Sequence, residues 1–159
     1  MERILMLIYL SLFPVWLFAE EPLTGFRLIP QPQKIELVKA KGLRYGELKY
    51  IRTQDSAVVP VLGEIMDRLP RTAKKGKGVI LVVSANGVPE SVEGYVLKIW
   101  SQGATITARG DAGLFYGCQT LEQLLEDSRD FGLEIPAMTI TDYPQLAYRA
   151  VHFDTKHHL

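Results

Sequence analysis

An α+β domain is what this sequence predicts, with a mostly antiparallel sheet and two helices packed on one of its faces. Three observations carry that prediction. Residues 94–100 and 104–108 each alternate side-chain character and are separated by Ser101, Gln102 and Gly103, the pattern of two strands joined by a short loop ending in glycine. Directly after them Leu114, Cys118, Leu121 and Leu125 recur at i, i+4, i+7 and i+11, the apolar stripe of an amphipathic helix. An earlier stripe, Val59, Leu62, Met66 and Leu69 at i, i+3, i+7 and i+10, marks a second helix.

The elements follow in order once the leader is set aside. Residues 4–18 are almost entirely apolar, follow Met1, Glu2 and Arg3, and precede Ala19, Glu20 and Glu21. This is the layout of a secretory signal peptide over residues 1–19, which places the mature chain outside the cytoplasm, secreted or periplasmic, with no membrane association after removal. Glu2 offsets Arg3, so an uncleaved anchor stays open as a reading, although about fifteen apolar residues interrupted by Pro14 are short for a spanning helix. Pro22, Pro30 and Pro32 make an extended leading segment. Residues 35–38 and 43–51 read as short strands broken at Gly42 and Gly46. Asp55 or Ser56 can cap the first helix, with Pro60 in its first turn and Pro70 ending it.

Lys74, Lys75 and Lys77 lie among Gly76 and Gly78 and read as a solvated turn, since no aromatic residue interleaves with them. Residues 79–83 form a continuous apolar run, expected as a central strand buried on both faces. Asn86, Gly87 and Pro89 turn the chain into the strand at Gly94, where Tyr95, Leu97 and Ile99 share one face and Val96, Lys98 and Trp100 the other. Asp111 is placed to cap the second helix, with Phe115 and Leu124 widening its stripe. Residues 127–132 read as a polar loop and 133–141 as an extended segment, before Asp142, Tyr143 and Pro144 interrupt the pattern as a domain boundary would. Residues 148–154 are again strand-like.

With 159 residues, 47% of them hydrophobic, the chain can bury the core of one compact domain. A formal net charge of zero gives no electrostatic footprint for nucleic acid. The single cysteine, Cys118, cannot form an intrachain disulfide and falls on the buried stripe, where a small apolar residue is wanted. No cofactor is implied, because no glycine-rich phosphate loop follows any strand.

The central stretch also resembles a known family. Residues 93–99 fit a strand of the type EGYxLxI, and Ala112, Gly113, Tyr116, Gly117, Gln119, Thr120, Leu121, Gln123, Leu124 and Leu125 fit AGxxYGxQTLxQLL. Both are features of the accessory N-terminal domain that precedes the catalytic barrel in family 20 glycoside hydrolases, the β-N-acetylhexosaminidases. The opening LIPQPQKIEL resembles the same domain. Ile140, Asp142, Pro144, Tyr148, Arg149 and Asp154 fit the segment that joins it to the first strand of the (β/α)8 barrel. After the signal over residues 1–19, the resemblance implies an accessory α+β domain over 20–142 and, over 143–159, a linker and the first strand of a truncated barrel.

What it implies about chemistry is specific. Functional residues of a barrel lie at the C-terminal ends of its strands, so Arg149 is expected to be structural, and Asp154, His157 and His158 are where the substrate sugar would be reached. The family's hydroxyl-binding arginine falls at His157 and its histidine at His158, while Ala150 replaces the usual glycine. A histidine can hydrogen-bond a hydroxyl but lacks the planar fork of arginine. His152, His157 and His158 lack the spacing of a metal site. The family hydrolyses by substrate assistance, using the acetamido oxygen as nucleophile and an Asp-Glu pair on a later barrel strand. That pair is expected beyond Leu159, with the carbohydrate substrate bound by the missing barrel. Glu126 and Asp127 are the nearest approximation here and read as a solvated helix end. The alternatives are a non-catalytic module binding a glycan or a protein partner, or the accessory domain of another glycosidase such as an α-glucuronidase. A complete module should not end on an unpaired apolar strand, which favours truncation.

Overall fold

The computed structural model describes residues 23, 25–53, 63–71, 75–146, 148–150 and 152. In chain order its elements are β1 (Lys34–Leu37), β2 (Leu43–Arg44), β3 (Leu48–Thr53), α1 (Glu64–Asp67), β4 (Lys77–Val83), β5 (Tyr95–Trp100), β6 (Gly103–Ala108), α2 (Asp111–Phe131), β7 (Glu134–Ile135) and β8 (Met138–Asp142). Six strands form one sheet in the order β1-β8-β5-β6-β4-β3, and β2 pairs with β7 in a second, two-stranded one.

The β5–β6 hairpin runs in the predicted register, from Tyr95 opposite Ala108 to Trp100 opposite Gly103. Its loop is one residue shorter than expected, because Gly103 already pairs and belongs to β6. β8 and β1 extend the sheet antiparallel on the β5 side. On the β6 side β4 and β3 join parallel to it and to each other, so the sheet is mixed. Parallel neighbours need a crossover connection, and α1 lies in the one between β3 and β4.

Side chains alternate across the sheet as its pleat requires. Tyr95, Leu97, Ile99, Ala104, Ile106 and Ala108 are buried beneath α2, and Val79, Leu81, Ile51 and Ile140 continue that core. The other face carries Thr105, Thr107, Thr139, Thr141 and the exposed Lys98. β4 is central, as expected, but not buried on both sides: Ile80 and Val82 face the side away from α2 and are only half-buried. Lys77 begins β4 instead of lying in a solvated turn, and its Nζ pairs with Glu47 at 2.6 Å.

The helix α2 buries the predicted Leu114, Cys118, Leu121, Leu124 and Leu125. Three expectations about it are corrected. Its N-cap is Gly110 without a side-chain bond, and Asp111 is the first helical residue, where its charge still favours the positive end of the dipole. Phe115 points outward and is 37% exposed, one residue round the helix from the stripe. The helix also continues to Phe131 through the expected polar loop, before Gly132 ends it with a φ of 67°. Asp127 and Ser128 are buried rather than solvated, because distant groups satisfy them. The Arg27 backbone N–H donates to Asp127 Oδ2 at 2.6 Å and the Arg27 guanidinium to Oδ1 at 3.2 Å. Ser128 Oγ donates to the Leu133 carbonyl at 2.6 Å and accepts from the Tyr45 N–H at 3.0 Å.

The expected segment 133–141 splits at Pro136 into β7 and β8, which enter different sheets. A proline cannot donate to a ladder. The break lets Ile135, Ala137, Met138 and Ile140 all reach the interior despite their mixed parity.

Of the first predicted helix, Asp55, Ser56, Val59, Pro60 and Leu62 lie outside the described residues, and the helix that is described, α1, is a single turn that starts at Glu64 after an extended N-cap at Gly63. Met66 is fully buried, and Glu122 of α2 accepts from the N–H groups of Ile65 and Met66 at 2.5 and 3.1 Å. Burial raises the Glu122 carboxyl above its ordinary 4.5, outweighing the two N–H donors, which pull it down. The raised value sets the sign of the pH effect. Glu122 contributes fully to stability below pH 4.5, and that contribution is lost as pH rises through its folded value. In urea unfolding the stability of Glu122→Gln minus that of the parent should therefore be larger at pH 7 than at pH 4, because the glutamine cannot ionise. Equal differences would show that Glu122 titrates alike in both states.

Candidate functional site

The ends of β1, β5 and β8 meet at one corner of the domain, since Lys34 pairs with Thr141 and Tyr95 with Asp142. The leading segment reaches this corner along α2, where the Ile29 N–H donates to Gln123 Oε1 at 2.9 Å. The chain leaves β8 from the same corner. Between the two lies an open cleft of about 470 Å³, lined by Gln33, Glu93, Tyr116, Asp142 and Tyr143 among others.

The cleft's polar groups hold the arriving and departing strands together. Asp142 Oδ1 accepts from the Gln33 N–H at 3.1 Å, and Oδ2 accepts from the Tyr95 hydroxyl at 3.4 Å. Tyr95 shares a 2.6 Å hydrogen bond with Thr120 Oγ1, which ties this corner to α2. Burial holds the Tyr95 phenol well above its ordinary value, with the Asp142 charge adding to the shift against the Thr120 bond, so it stays a neutral hydroxyl. Gln145 Nε2 donates to Gln33 Oε1 at 3.1 Å. Beyond β8 the Arg149 guanidinium pairs with Glu93 and donates to the Leu146 carbonyl at 3.0 Å. The Glu93 contact raises the already high Arg149 value further.

Both carboxylates of the cleft are thus engaged by the chain's own groups. Glycoside hydrolysis by direct displacement asks for two carboxyl groups astride a bond, one free to give a proton and one to attack or activate water. Glu93 paired with arginine and Asp142 held by N–H and phenol donors are a clamp, not such a pair. Cys118 offers no nucleophile, since burial pushes its thiol up to about 12. Among the described residues no three His, Cys, Asp or Glu side chains gather as metal ligands. No helix among them is long and apolar enough to cross a membrane.

Of the residues predicted to contact substrate, Asp154, His157 and His158 lie outside the described residues. His152, which the sequence sets beside His157 and His158 only as a candidate metal ligand, is exposed. Arg149 has a structural partner in Glu93. The described part of the strand-like run 148–154, residues 148–150 and 152, has no strand assignment. Sequence reasoning missed the Tyr95–Thr120–Asp142 and Glu93–Arg149 contacts. All five residues fell within the matched patterns or beside them, but only folding brings positions 25 to 56 apart into contact.

Comparison with known proteins agrees with this geometry. Residues 25–143 match the sequence model of glycosyl hydrolase family 20, domain 2. A β-hexosaminidase of Porphyromonas gingivalis is 35% identical over 77 residues, which are 45% of this chain and 10% of that protein. A β-N-acetylhexosaminidase of Cellulomonas fimi is 32% identical over 71 residues, 45% of this chain and 14% of that protein. Among solved structures, the N-acetyl-β-hexosaminidase of Streptomyces plicatus superimposes with a TM-score of 0.57 at 32% identity, covering 77% of this chain and 27% of the other. The family 20 β-N-acetylhexosaminidase of Streptomyces coelicolor gives 0.53 at 31%, covering 74% and 26%. The chain therefore spans about a quarter of these solved relatives and less of the two curated ones.

Proposed function

Because the chain belongs to glycosyl hydrolase family 20, we propose that it is the front of a secreted β-N-acetylhexosaminidase-like glycosidase and that its own part is architectural. The observation that carries this reading is the match over residues 25–143, which stops beside Asp142, the residue clamping the departing chain. Residues 1–19 act as the signal peptide and 143–159 lead into the barrel. Release of a terminal N-acetylhexosamine is then the work of the polypeptide that follows. There the substrate's acetamido oxygen attacks the anomeric carbon and an Asp-Glu pair orients and protonates. Nowhere in these residues is an aspartate followed directly by a glutamate. Asp154, His157 and His158 contribute the first contacts to the sugar, with His157 replacing the arginine of the family pattern.

Reading the coding DNA past Leu159 tests the proposal. The expected result is an open frame of roughly 250 or more residues with alternating strand and helix patterns and an Asp-Glu pair. A stop codon immediately after Leu159 would refute it.

A further inference from the structure

The face of the six-stranded sheet turned away from α2 carries no helix among the described residues, since α2 packs on β4, β5 and β6 from the other side and α1 packs on α2. Water as the final neighbour asks only for polar side chains there, and Thr105, Thr107, Thr139 and Thr141 supply them. Two features go further. Lys98 stands exposed at the centre of the face, between Thr105 of β6 and Thr139 of β8, with Val96 and Trp100 two residues before and after it on its own strand. None of these four neighbours is acidic. The one acid on this face among the described residues, Glu36 of β1, is taken by Lys34 at 3.0 Å. Arg52 of β3 lies exposed in the same row as Lys98, opposite Ile80, which is opposite Thr105. Three strand spacings of about 4.8 Å put its backbone roughly 14 Å from that of Lys98.

The second feature is Trp100, 37% exposed at the end of β5. It pairs with Gly103, which leaves the sheet bare beside the indole. Beyond Gly103 the Tyr50 ring lies over Gly78, where an added Cβ would meet it at 2.3 Å.

We propose that this face, centred on Lys98 and Trp100, binds an extended anionic polysaccharide that carries a carboxylate on alternate sugars. None of these residues belongs to the clamp at the cleft, so the site is independent of the reading above. Charge selects the occupant. Lys34, Lys98 and Arg52 stand against Glu36 alone, which leaves two positive charges in excess on this face. A nucleic acid presents a phosphate about every 3.4 Å along a strand and calls for a denser basic surface than two cations on strands roughly 14 Å apart. An anionic membrane surface likewise asks for clusters of roughly four to eight basic side chains. A polymer charged on every second unit fits the wider spacing. The indole beside a bare glycine can stack on the apolar C–H face of a pyranose, and threonine hydroxyls both donate and accept, as sugar hydroxyls require. Lys98 then meets one carboxylate through a charge-assisted hydrogen bond, and Arg52 the next along the row.

Isothermal titration calorimetry and tryptophan emission test this with three probes: a hexasaccharide of alternating glucuronate and N-acetylglucosamine, an uncharged hexasaccharide of N-acetylglucosamine, and polyphosphate. Trp100 is the one tryptophan outside the leader, so its emission reports this face. The expected result is saturable binding of the uronate probe with a change in Trp100 emission, weakened at least ten-fold by Lys98→Met and by high salt, and retained in Lys98→Arg. Arg52→Met, at the edge of the sheet, is the second variant and should weaken binding in the same direction. No binding of the uronate probe would overturn the proposal. So would equal affinity for the uncharged hexasaccharide, or unchanged affinity in both methionine variants at the parent's unfolding midpoint. Polyphosphate bound as tightly as the uronate probe would reduce the face to a cation patch without preference for sugar, and would refute it too.

Discussion

Leu121→Ala is expected to destabilise the domain by about 2–5 kcal/mol, measured by urea or thermal unfolding. Leu121 lies at the centre of α2 with no exposed surface, in the core that α2 shares with β5, β6 and β4. Truncation loses the transfer free energy of three carbons and leaves a cavity that the rigid hairpin beneath cannot close. Phe115→Ser supplies the contrast. The helical periodicity assigned Phe115 to the same stripe, but its side chain is partly solvated, and in the 159-residue chain its loss should fall near the usual surface range of about half a kcal/mol. If the two variants cost the same, the orientation of α2 on the sheet is wrong.

Gly117→Leu should cost about 3 kcal/mol or more, and Gly117→Ala should also destabilise, against helix propensity. In an exposed helix interior alanine is favoured over glycine by about 1 kcal/mol. Here a Cβ would stand 2.5 Å from Ile106 Cγ2 and 3.1 Å from the Tyr95 ring. Neither neighbour can yield cheaply, because Ile106 is branched at its own Cβ and Tyr95 is held by Thr120 and Asp142. Gly113 repeats the arrangement one turn earlier, with the Gly94 carbonyl oxygen 2.4 Å from its added Cβ. These two glycines let α2 lie close on the hairpin, and overpacking at such a contact costs roughly 1–3 kcal/mol per intruding group, occasionally more. A Gly117→Ala variant that unfolds at a higher temperature than the parent would contradict this packing.

The hairpin and the buried stripe of α2 were legible because both rest on local periodicity. Residues 95–100 and 104–108 alternate, and Leu114, Cys118, Leu121 and Leu125 repeat at helical spacing, whatever the rest of the chain does. What escaped the sequence depends on distant partners. Asp127 and Ser128 look like loop residues until Arg27, Tyr45 and Leu133 satisfy them inside the helix. The parallel pairing of β6 with β4 and of β4 with β3 leaves no local trace, since it is decided by crossovers. At the cleft, the residue types of Glu93, Tyr95, Asp142 and Arg149 were visible within the family patterns, but their roles as a clamp needed the meeting of β5, β8 and the departing segment. Phe115 was misassigned for a related reason: an aromatic residue beside an apolar stripe looks like core whether it is covered from inside the domain or from outside it.

Turnover of a chromogenic N-acetyl-β-glucosaminide by the purified 159-residue chain, set beside the same chain extended through its downstream frame, tests the central claim most directly. The account predicts hydrolysis by the extended protein and none above buffer by the 159 residues, whose cleft carboxylates Glu93 and Asp142 are committed to holding the chain. Hydrolysis by the 159-residue chain that disappears in Glu93→Ala or Asp142→Ala would contradict it and turn the clamp into an active site.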